Sequence, residues 1–452
     1  MSVRLRLLAP ALIVIMTTAF GASVHAGQVS LSRDAEIENT IRAYATPLFA
    51  AAGLEPSSVK IHLVNDKRLN AFVAGGLRLF INTGLLLASE TPNQVIGVIA
   101  HETGHIAGGH LARTDEALRG ANVATILAAV VGAAAVVAGS PDAAVAVLLG
   151  GRGIAQQTLL KYSRGQEQAA DQFAVSALES TGQSARGMLE FLEKLEDQEL
   201  LVASRQDPYL RSHPLTRGRI DFVRNHVANS AYSDALPRAD YDAAFRRMQG
   251  KLHGFLDPAT ETFARYPTSD TSVEARYARA IAHYRRPDLD RALPEIDSLI
   301  ADDPEDAYFH ELRGQILFEN GRGGEALGSY RRSVELAPGA PLIRVGLAQA
   351  LVESNDRAAL AEATGHLEIA VRQDDENAKA WRLLSIVHGR ADRFGLSALA
   401  SAERAMLTGR PKDARSFAQR AGKLLPAGSP GGLRAEDIER AAENDLKRRK
   451  RN

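Results

Sequence analysis

Apolar positions divide the chain into two parts with different periods. In the first part, apolar side chains recur at helical spacing over 30–50 and alternate over 59–64 in the manner of a strand. The run AFVAGGLRLFIN over 71–82 has the composition of two short strands bent at Gly75 and Gly76. These patterns predict an opening helix followed by a small β element.

The second part, past Arg238, is dominated by helical patterns and contains an internal repeat. Pro304 and Pro338 lie 34 residues apart, which is the period of a tetratricopeptide repeat. Such repeats stack so that their helix pairs share one core and curve around a concave groove. The spacing predicts an α-solenoid over 239–428, with a three-residue displacement near Asn355, whose groove holds a peptide or partner protein. The alternative is a scaffold that only stabilises the first part.

Residues 121–151 are rich in alanine, valine and glycine, and a break at 139–142 divides them into two arms. Their length predicts a helical hairpin, and alanine and glycine make it only weakly hydrophobic for membrane insertion. Three placements stay open: packing near a functional site, dipping into a membrane surface, and burial in a core. A protease embedded in the membrane would need this hairpin to cross the bilayer.

The N-terminus has the pattern of a secretory signal peptide. Arg4 and Arg6 precede an apolar run over 7–20, and the small residues of 24–26 suit a cleavage site. An uncleaved anchor is disfavoured because the run is shorter than the ~20 residues that a span requires. We expect cleavage after residue 26 and export, with a bacterial periplasm as the expected compartment.

Composition narrows the function classes. The 452 residues are 45% hydrophobic, enough for two or three domains. The formal net charge is zero, so nothing favours nucleic-acid binding. With no cysteine, disulfides, thiol catalysis and a lipid anchor on cysteine are excluded. The basic run 447–451 predicts a frayed solubilising tail, with contact to anionic lipid or an acidic partner as the alternative.

The candidate chemistry lies in the run QVIGVIAHETGHIAGGHLAR. His101 and His105 are four residues apart, so on a helix they differ by roughly 40° and face the same way. Glu102 lies about 100° from His101, near a shared ion without having to bind it. Thr91 followed by Pro92 favours a helix start just upstream. This spacing is typical of a zinc hydrolase, in which a carboxylate takes a proton from a water activated by the metal.

A catalytic zinc needs a third protein ligand. His110 lies five residues past His105, about 140° around the helix, and is expected to face elsewhere. Glu167 and Asp171 are one helical turn apart, so one could bind the metal while the other orients a histidine. The alternative is a solvated helix face that carries an Arg/Glu/Asp pattern.

These motifs together resemble the HtpX/Ste-type family of gluzincin-like metallopeptidases. The likeness rests on the HETGH helix, on the SRxxExxAD pattern that ends in Asp171, and on the strand pair AFVAGGLRLFINTGLL. The resemblance implies one zinc ion per chain, bound by His101, His105 and Glu167. It further implies Glu102 as general base and Asp171 as support for a ligand.

The layout is similar to the BepA-type periplasmic members, in which tetratricopeptide repeats follow the peptidase. It implies a mainly α protein: a gluzincin-like zinc metallopeptidase domain with a small β-sheet over 27–238, repeats over 239–428, and a charged C-terminal helix or tail over 429–452. The implied function is degradation of misfolded or misassembled outer-membrane proteins, with repeats that engage the β-barrel assembly machinery and assist assembly. The alternative is a chaperone or adaptor with a latent or structural zinc site.

Two further segments carry expected contacts. In metallopeptidases of this type an edge strand pairs with extended substrate, which makes Ala74 and Gly75 candidate substrate contacts; an ordinary core hairpin is the alternative. The HP…R pattern at His213 and Arg217 recurs in the resembled family. Because Pro214 holds the loop extended, His213 could reach the fourth zinc position and act as a latch. Otherwise His213 and Arg217 bind substrate or fix the loop.

Overall fold

The computed structural model describes residues 31–110, 164–199, 209, 213–354 and 356–450. The predicted signal peptide and the predicted hairpin over 121–151 lie outside these residues. The described residues are mainly helical with one small sheet, which confirms the predicted fold class.

The first part of the chain builds a small sheet and six helices among its described residues. Asp34 caps the first helix by accepting a hydrogen bond from the Ile37 amide, and Thr216 caps the last by accepting one from Arg219. The elements are β1 (Leu31–Ser32), α1 (Ala35–Ala51), a 3-10 turn (Pro56–Ser58), β2 (Lys60–Val64), β3 (Ala71–Ala74), β4 (Arg78–Asn82), α2 (Thr83–Ala88), α3 (Pro92–Ala107), α4 (164–180), α5 (Arg186–Glu199) and α6 (Arg217–Asn229).

The sheet has the strand order β1-β2-β4-β3. Strands β2 and β4 are parallel, whereas β1 and β3 run antiparallel to their neighbours. Gly75 and Gly76 join β3 to β4 with φ of 57° and 92°, a left-handed backbone that favours glycine. Strand β3 therefore forms one edge of the described sheet, and it lies beside α3.

Helix α3 runs through the centre of this part. Its Val95, Ile99 and Ala100 are fully buried in one core shared with α1, α5 and the strands. A helix that is apolar on all sides must be covered on all sides. The HETGH motif, which occupies the last turns of α3, is therefore buried in the interior of the first part.

The second part is a stack of helix pairs. The first helices of successive pairs begin 34 residues apart at 273, 307 and 341, and the next begins at 378, three residues late, as the displacement near Asn355 predicts. The elements are α7 (Ala239–Leu256), α8 (Ala259–Arg265), α9 (Val273–Arg285), α10 (Leu289–Asp302), α11 (Ala307–Glu319), α12 (Gly323–Leu336), α13 (Pro341–Glu353), α14 (Arg357–Gln373), α15 (Ala378–Arg390), α16 (Phe394–Leu407), α17 (Pro411–Leu424) and α18 (Pro430–Arg449).

The final helix, α18, corrects the expectation of a frayed tail. It packs on α17 and buries Ala435, Ile438 and Ala442. Because this apolar side anchors the helix, the backbone stays helical through Arg449. Most of the basic run therefore forms the last helical turn, where cations are favoured by the helix dipole.

Helix α7 connects the two parts. Its Tyr241, Phe245 and Met248 belong to the core of the first part, and the Tyr44 hydroxyl donates to the carbonyl of Tyr241 over 2.8 Å. The same helix packs against α9 of the repeats. Helix α7, which begins just after the predicted domain boundary at residue 238, therefore packs into the core of the first part and also against the repeats.

Charged contacts hold the repeats against the sheet. Arg33, Lys60 and Arg78 each pair with one member of the acidic run 374–376, at N–O distances of 2.8, 3.0 and 2.5 Å. The three cations lie on strands β2 and β4 and in the turn between β1 and α1, and the acidic run lies in the α14–α15 loop. This loop of the repeats therefore lies against the sheet of the first part.

Within the described ranges, no helix combines the length and the apolar character needed to cross a bilayer.

Candidate metal centre

Two helices bring the candidate residues together. Helix α3 carries His101, Glu102 and His105, and α4 carries Glu167 and Asp171. All five side chains are buried, with exposures between 0 and 7%. Burying this many polar groups is costly unless they are paired with one another or with a bound ion.

A glycine allows the two helices to approach. A Cβ atom on Gly104 would lie 2.8 Å from the carbonyl oxygen and 2.9 Å from the Cα of Ala170. Real Cβ atoms do not tolerate such contacts, so only glycine lets α3 and α4 touch here. This contact sets Glu167 opposite the two histidines of α3.

Four side chains then converge on one point: His101, His105, Glu167 and His213. Nε2 of His101 lies 3.1 Å from Nε2 of His105 and 3.3 Å from Nδ1 of His213. The Glu167 carboxylate lies 3.3 Å from His101 Nε2, 3.4 Å from His105 Nε2 and 3.3 Å from His213 Nδ1.

These distances fit a tetrahedral transition-metal site. Ligand atoms bound about 2.0–2.1 Å from zinc at tetrahedral angles lie about 3.3–3.4 Å from each other. Five of the six residue pairs are separated by 3.1–3.4 Å, with Glu167 facing His101 and His213 through Oε2 and His105 through Oε1, and all four ligand atoms lie within 4.8 Å of one another. Three imidazoles and a carboxylate are also donor types that zinc prefers.

The charge of the group also fits a divalent cation. Three carboxylates, Glu102, Glu167 and Asp171, are buried beside one arginine, Arg219. With neutral histidines the group carries a net charge of −2. A buried charge of this size requires compensation, and an ion of charge +2 would neutralise it.

The pKa shifts express the same imbalance. Burial alone would lower the pKa of His101, but hydrogen bonds to Asp171 and Glu167 raise the pKa of His101 to about 9. Burial would raise the pKa of Glu167, yet the surrounding histidines keep that pKa well below its usual range. The pKa values of His105 and His213 are lowered, mainly by burial.

Glu102 is the least satisfied of these groups. Both carboxylate oxygens are buried and have no hydrogen-bond partner among the described residues. Burial raises the pKa of Glu102 to about 7. Nε2 of His213 lies 3.4 Å from Oε1 of Glu102. A carboxylate with free lone pairs beside a metal group can accept a proton from a water molecule.

Asp171 and Arg219 support the group from outside. Asp171 Oδ1 accepts from Nδ1 of His101 over 2.9 Å, which directs Nε2 toward the centre. Arg219 donates to both oxygens of Asp171 over 2.6 and 2.9 Å, and its Nη1 lies 2.9 Å from Glu167. Nη1 also donates to the carbonyl of Pro214, beside His213. One guanidinium thus fixes the carboxylates of α4 and the His213 loop.

His110 corrects the expectation that it faces away. Its Nδ1 lies 3.0 Å from Nδ1 of His105, although it is not among the four converging side chains. Helix α3 ends at Ala107, so the 140° argument does not reach residue 110. Gly109 has φ of 61°, and a Cβ on Gly108 would lie 2.3 Å from the His110 ring. The two glycines let the ring fold back and support His105.

The remaining candidate residues lie at the periphery. Arg217 is the first residue of α6 and is exposed. Ala74 ends the edge strand β3, and Gly75 begins its turn. The structure does not bring these three residues into the metal group.

Arg219 is the functional residue that the sequence analysis missed. The pattern HPLTRGR contains two arginines, and the exposed Arg217 was the one singled out. Helical spacing offered a signal, because Thr216 caps α6 and apolar Ile220 and Val223 mark its buried side. Arg219 adjoins that side.

Replacing Gly104 by alanine should increase the distance between α3 and α4. We expect the free energy of unfolding to fall by about 1–3 kcal/mol because the new methyl overpacks against Ala170, and zinc affinity to fall because Glu167 moves. Urea unfolding and competition with a chelator measure these effects. Gly165→Ala is the control, since a Cβ there meets nothing within 4 Å; equal behaviour of the two variants would contradict the close-contact account.

Comparisons with known proteins bear on this geometry. Residues 31–227 match the profile of Peptidase family M48, and 270–413 match that of the cytochrome c-type biogenesis protein H TPR domain. The chain is 27% identical over 342 residues to the beta-barrel assembly-enhancing protease of Yersinia pestis, which covers 75% of this chain and 69% of the relative.

Two relatives from Escherichia coli K12 extend the comparison. The beta-barrel assembly-enhancing protease is 24% identical over 406 residues, covering 89% of this chain and 82% of the relative. The metalloprotease LoiP is 28% identical over 174 residues, covering 38% of this chain and 64% of the relative. The first likeness spans both parts of the chain, whereas the second is limited to a shorter stretch.

Proposed function

We propose that this metalloprotease, whose residues 31–227 match Peptidase family M48 and whose residues 270–413 match a TPR domain, degrades misfolded or misassembled outer-membrane proteins in the bacterial periplasm. The observation that carries this proposal is the buried His-His-Glu-His group beside the unsatisfied carboxylate of Glu102. The relatives' name, beta-barrel assembly-enhancing protease, supports the biological setting.

His101, His105 and Glu167 would hold one zinc ion per chain. Zinc supplies polarisation of the scissile carbonyl and a lowered pKa of water. Glu102 accepts the proton of the attacking water and later delivers it to the leaving amine. Its two carboxylate oxygens, which have no hydrogen-bond partner among the described residues, are available for that exchange.

Asp171 acts by positioning and does not contact substrate. It holds His101 in the tautomer whose Nε2 faces the group. The positive charge of Arg219 balances the negative charge of Asp171. Hydrogen bonds from Arg219 and His101 outweigh the effect of burial and lower the pKa of Asp171, so that its carboxylate stays ionised. These contacts fix the ligands before substrate arrives.

Extended substrate would pair with β3, the edge strand of the described sheet. A backbone that adds to a sheet edge gains hydrogen bonds regardless of sequence, which suits an enzyme that acts on unfolded chains. Ala74 and Gly75 would contact the substrate backbone at this edge. Arg217, exposed at the start of α6, would contact substrate beyond the metal group.

His213 would act as a latch. A catalytic zinc keeps one position open for water, whereas four protein ligands close the site. Nδ1 of His213 lies 3.3 Å from Nε2 of His101. Arg219 donates to the carbonyl of Pro214 and so holds the loop between His213 and α6. The resting protein is then latent, and displacement of His213 opens the site.

Replacing His213 by alanine should therefore raise basal proteolysis. If the open form is a minor state populated at about 0.1–10%, removal of the latch raises the initial rate about 10-fold or more. Cleavage of an unfolded fluorescent substrate by the metal-loaded full chain measures this rate. A variant that retains zinc but cleaves no faster than the parent would rule out the latch.

A chaperone or adaptor is the second candidate function. A structural zinc site is also closed by four protein ligands, and the repeats are of a type that binds proteins. In that case the repeats supply the function and the metal only stabilises the first part.

One cellular experiment separates the two functions. A strain that lacks the chain and accumulates a misassembled outer-membrane protein is complemented with the parent or with Glu102→Gln. Loss of degradation with Glu102→Gln supports the protease; full rescue supports the chaperone. Capture of β-barrel assembly components by the parent, and loss of that capture on deletion of 239–428, tests the repeat partner.

We propose the domain limits as a peptidase unit over 27–238, repeats over 239–428 and a charged helix or tail over 429–452, with α7 packing against both of the first two units. Export would follow cleavage of residues 1–26, and N-terminal sequencing of the mature protein tests that cleavage.

A further inference from the structure

A second polar site lies where the two parts of the chain meet. A cavity of about 230 Å³ lies between the start of α1 and the first helices of three repeat pairs. Asp34 and Lys251 line it from one side, and helices α11, α13 and α15 line it from the other. It contains no residue of the metal group.

Glu311 on α11 lines this cavity, in the electrostatic field of Lys251. Its Oε2 is buried and has no hydrogen-bond partner among the described residues. Burial raises the pKa of Glu311 to about 7, which reflects the cost of an ionised carboxylate out of water. An added donor with a positive charge would remove that cost.

The nearest cations are already engaged. Lys251 Nζ lies 2.8 Å from Asp34 Oδ2 and 3.1 Å from Glu36 Oε2. Arg247 pairs with Glu36 and with Asp306. These two cations face three carboxylates before the unpaired carboxylate of α11 is counted, so the junction has an excess of negative charge.

The other charged groups of the lining leave this excess in place. Arg33 is held by Glu38 and Asp374 at 2.8 Å each. Lys379 is exposed at the rim and lies in the field of Glu319. Neither cation forms an ion pair with the carboxylate of α11.

The walls of the cavity suit a long aliphatic stem that ends in a cation. Tyr330 and Phe318 present aromatic rings, and Leu342 and Val345 add apolar surface. A cation near an aromatic face is stabilised, and the methylenes of lysine or arginine pack on apolar walls. The lining therefore combines a carboxylate acceptor with aromatic and aliphatic sides.

We propose that this cavity binds the lysine or arginine side chain of an extended polypeptide that lies along the repeat helices α11, α13 and α15. The cation pairs with Glu311, the stem packs against Tyr330 and Phe318, and the peptide backbone runs past the exposed rim at Glu319 and Lys379. The proposal specifies the ligand chemistry of the repeats and does not depend on the metal centre.

Binding of a labelled peptide tests the site. The full chain carrying Glu102→Gln, which prevents cleavage, is titrated into a fluorescent Ser/Ala nonapeptide with a central lysine, and anisotropy is measured. We expect this peptide to bind about 10-fold or more tighter than the same peptide with norleucine, as for a charge-assisted hydrogen bond. Equal affinity for the two peptides, or no binding of either, would overturn the proposal.

Substitutions locate the binding. Glu311→Gln should reduce the affinity for the lysine peptide to that for the norleucine peptide without lowering Tm, because it removes an unpaired charge and keeps the shape. Glu325→Gln on α12, whose carboxylate is exposed and paired with Arg322, is the control and should bind as the parent does. Undiminished binding by Glu311→Gln would refute the assignment. Cleavage by the chain with Glu102 intact is assayed separately, so failure of the protease proposal is distinguishable.

Discussion

Replacing Glu102 by glutamine is expected to lower the rate of proteolysis by about 10²–10⁴-fold, the usual contribution of a general base. The amide keeps the size of the carboxylate but cannot accept a proton. Because Glu102 is not among the four converging donors, the variant should retain its zinc. Steady-state cleavage of an unfolded substrate and metal analysis of the same preparation measure both expectations.

A matched control isolates the charge at this position. Glu193→Gln removes an exposed carboxylate on α5 that pairs with Arg224, so we expect its activity to equal that of the parent. If Glu102→Gln cleaves as fast as Glu193→Gln, another group must serve as the base. If Glu102→Gln instead loses its metal, the role of Glu102 is ligation or support and not proton transfer.

Replacing Arg219 by methionine should damage both stability and metal binding. The guanidinium is 2% exposed and contacts Asp171, Glu167 and the carbonyl of Pro214. Breaking a buried charge pair by removing one partner costs about 3–5 kcal/mol. Loss of support behind ligands lowers metal affinity about 10–100-fold. Urea unfolding and chelator competition measure the two losses.

Arg217→Met is the control for this substitution. Arg217 lies two residues earlier on the same helix and is exposed, so its loss should leave stability and zinc affinity unchanged. A higher KM with unchanged zinc affinity would support the proposed contact of Arg217 with substrate. If Arg219→Met and Arg217→Met unfold at the same urea concentration, the buried guanidinium does not hold the ligands.

Local patterns predicted the helices and strands well. The apolar run before His101 required a covered helix, and α3 is buried on all sides. The 34-residue spacing of Pro304 and Pro338 predicted the repeat pairs, including the late start of α15. These features depend on neighbours in sequence, so a single chain is enough to find them. The resemblance to a metallopeptidase with repeats is likewise confirmed by the family matches.

Contacts between distant segments were harder to predict. The pairing of Arg219 with Asp171 joins residues 48 positions apart, and no local period indicates it. The direction of the His110 side chain was predicted wrongly because the angle assumes an ideal helix, whereas the chain leaves the helix at Gly108. The sequence did not indicate Glu311 as a candidate residue, because the lack of a partner for its carboxylate depends on how α1 packs against the repeats. Sequence periodicity defines elements, and their mutual approach decides which polar groups end up paired.

The most direct test of the account is the zinc content of the purified full chain and of a His101→Ala/His105→Ala variant. We expect about one zinc per chain in the parent, as for a single site with three or four protein ligands, and almost none in the variant, together with loss of proteolysis. A parent that carries no transition metal yet cleaves peptides, or a variant that keeps its full zinc, would contradict the claim that these side chains form a catalytic metal centre.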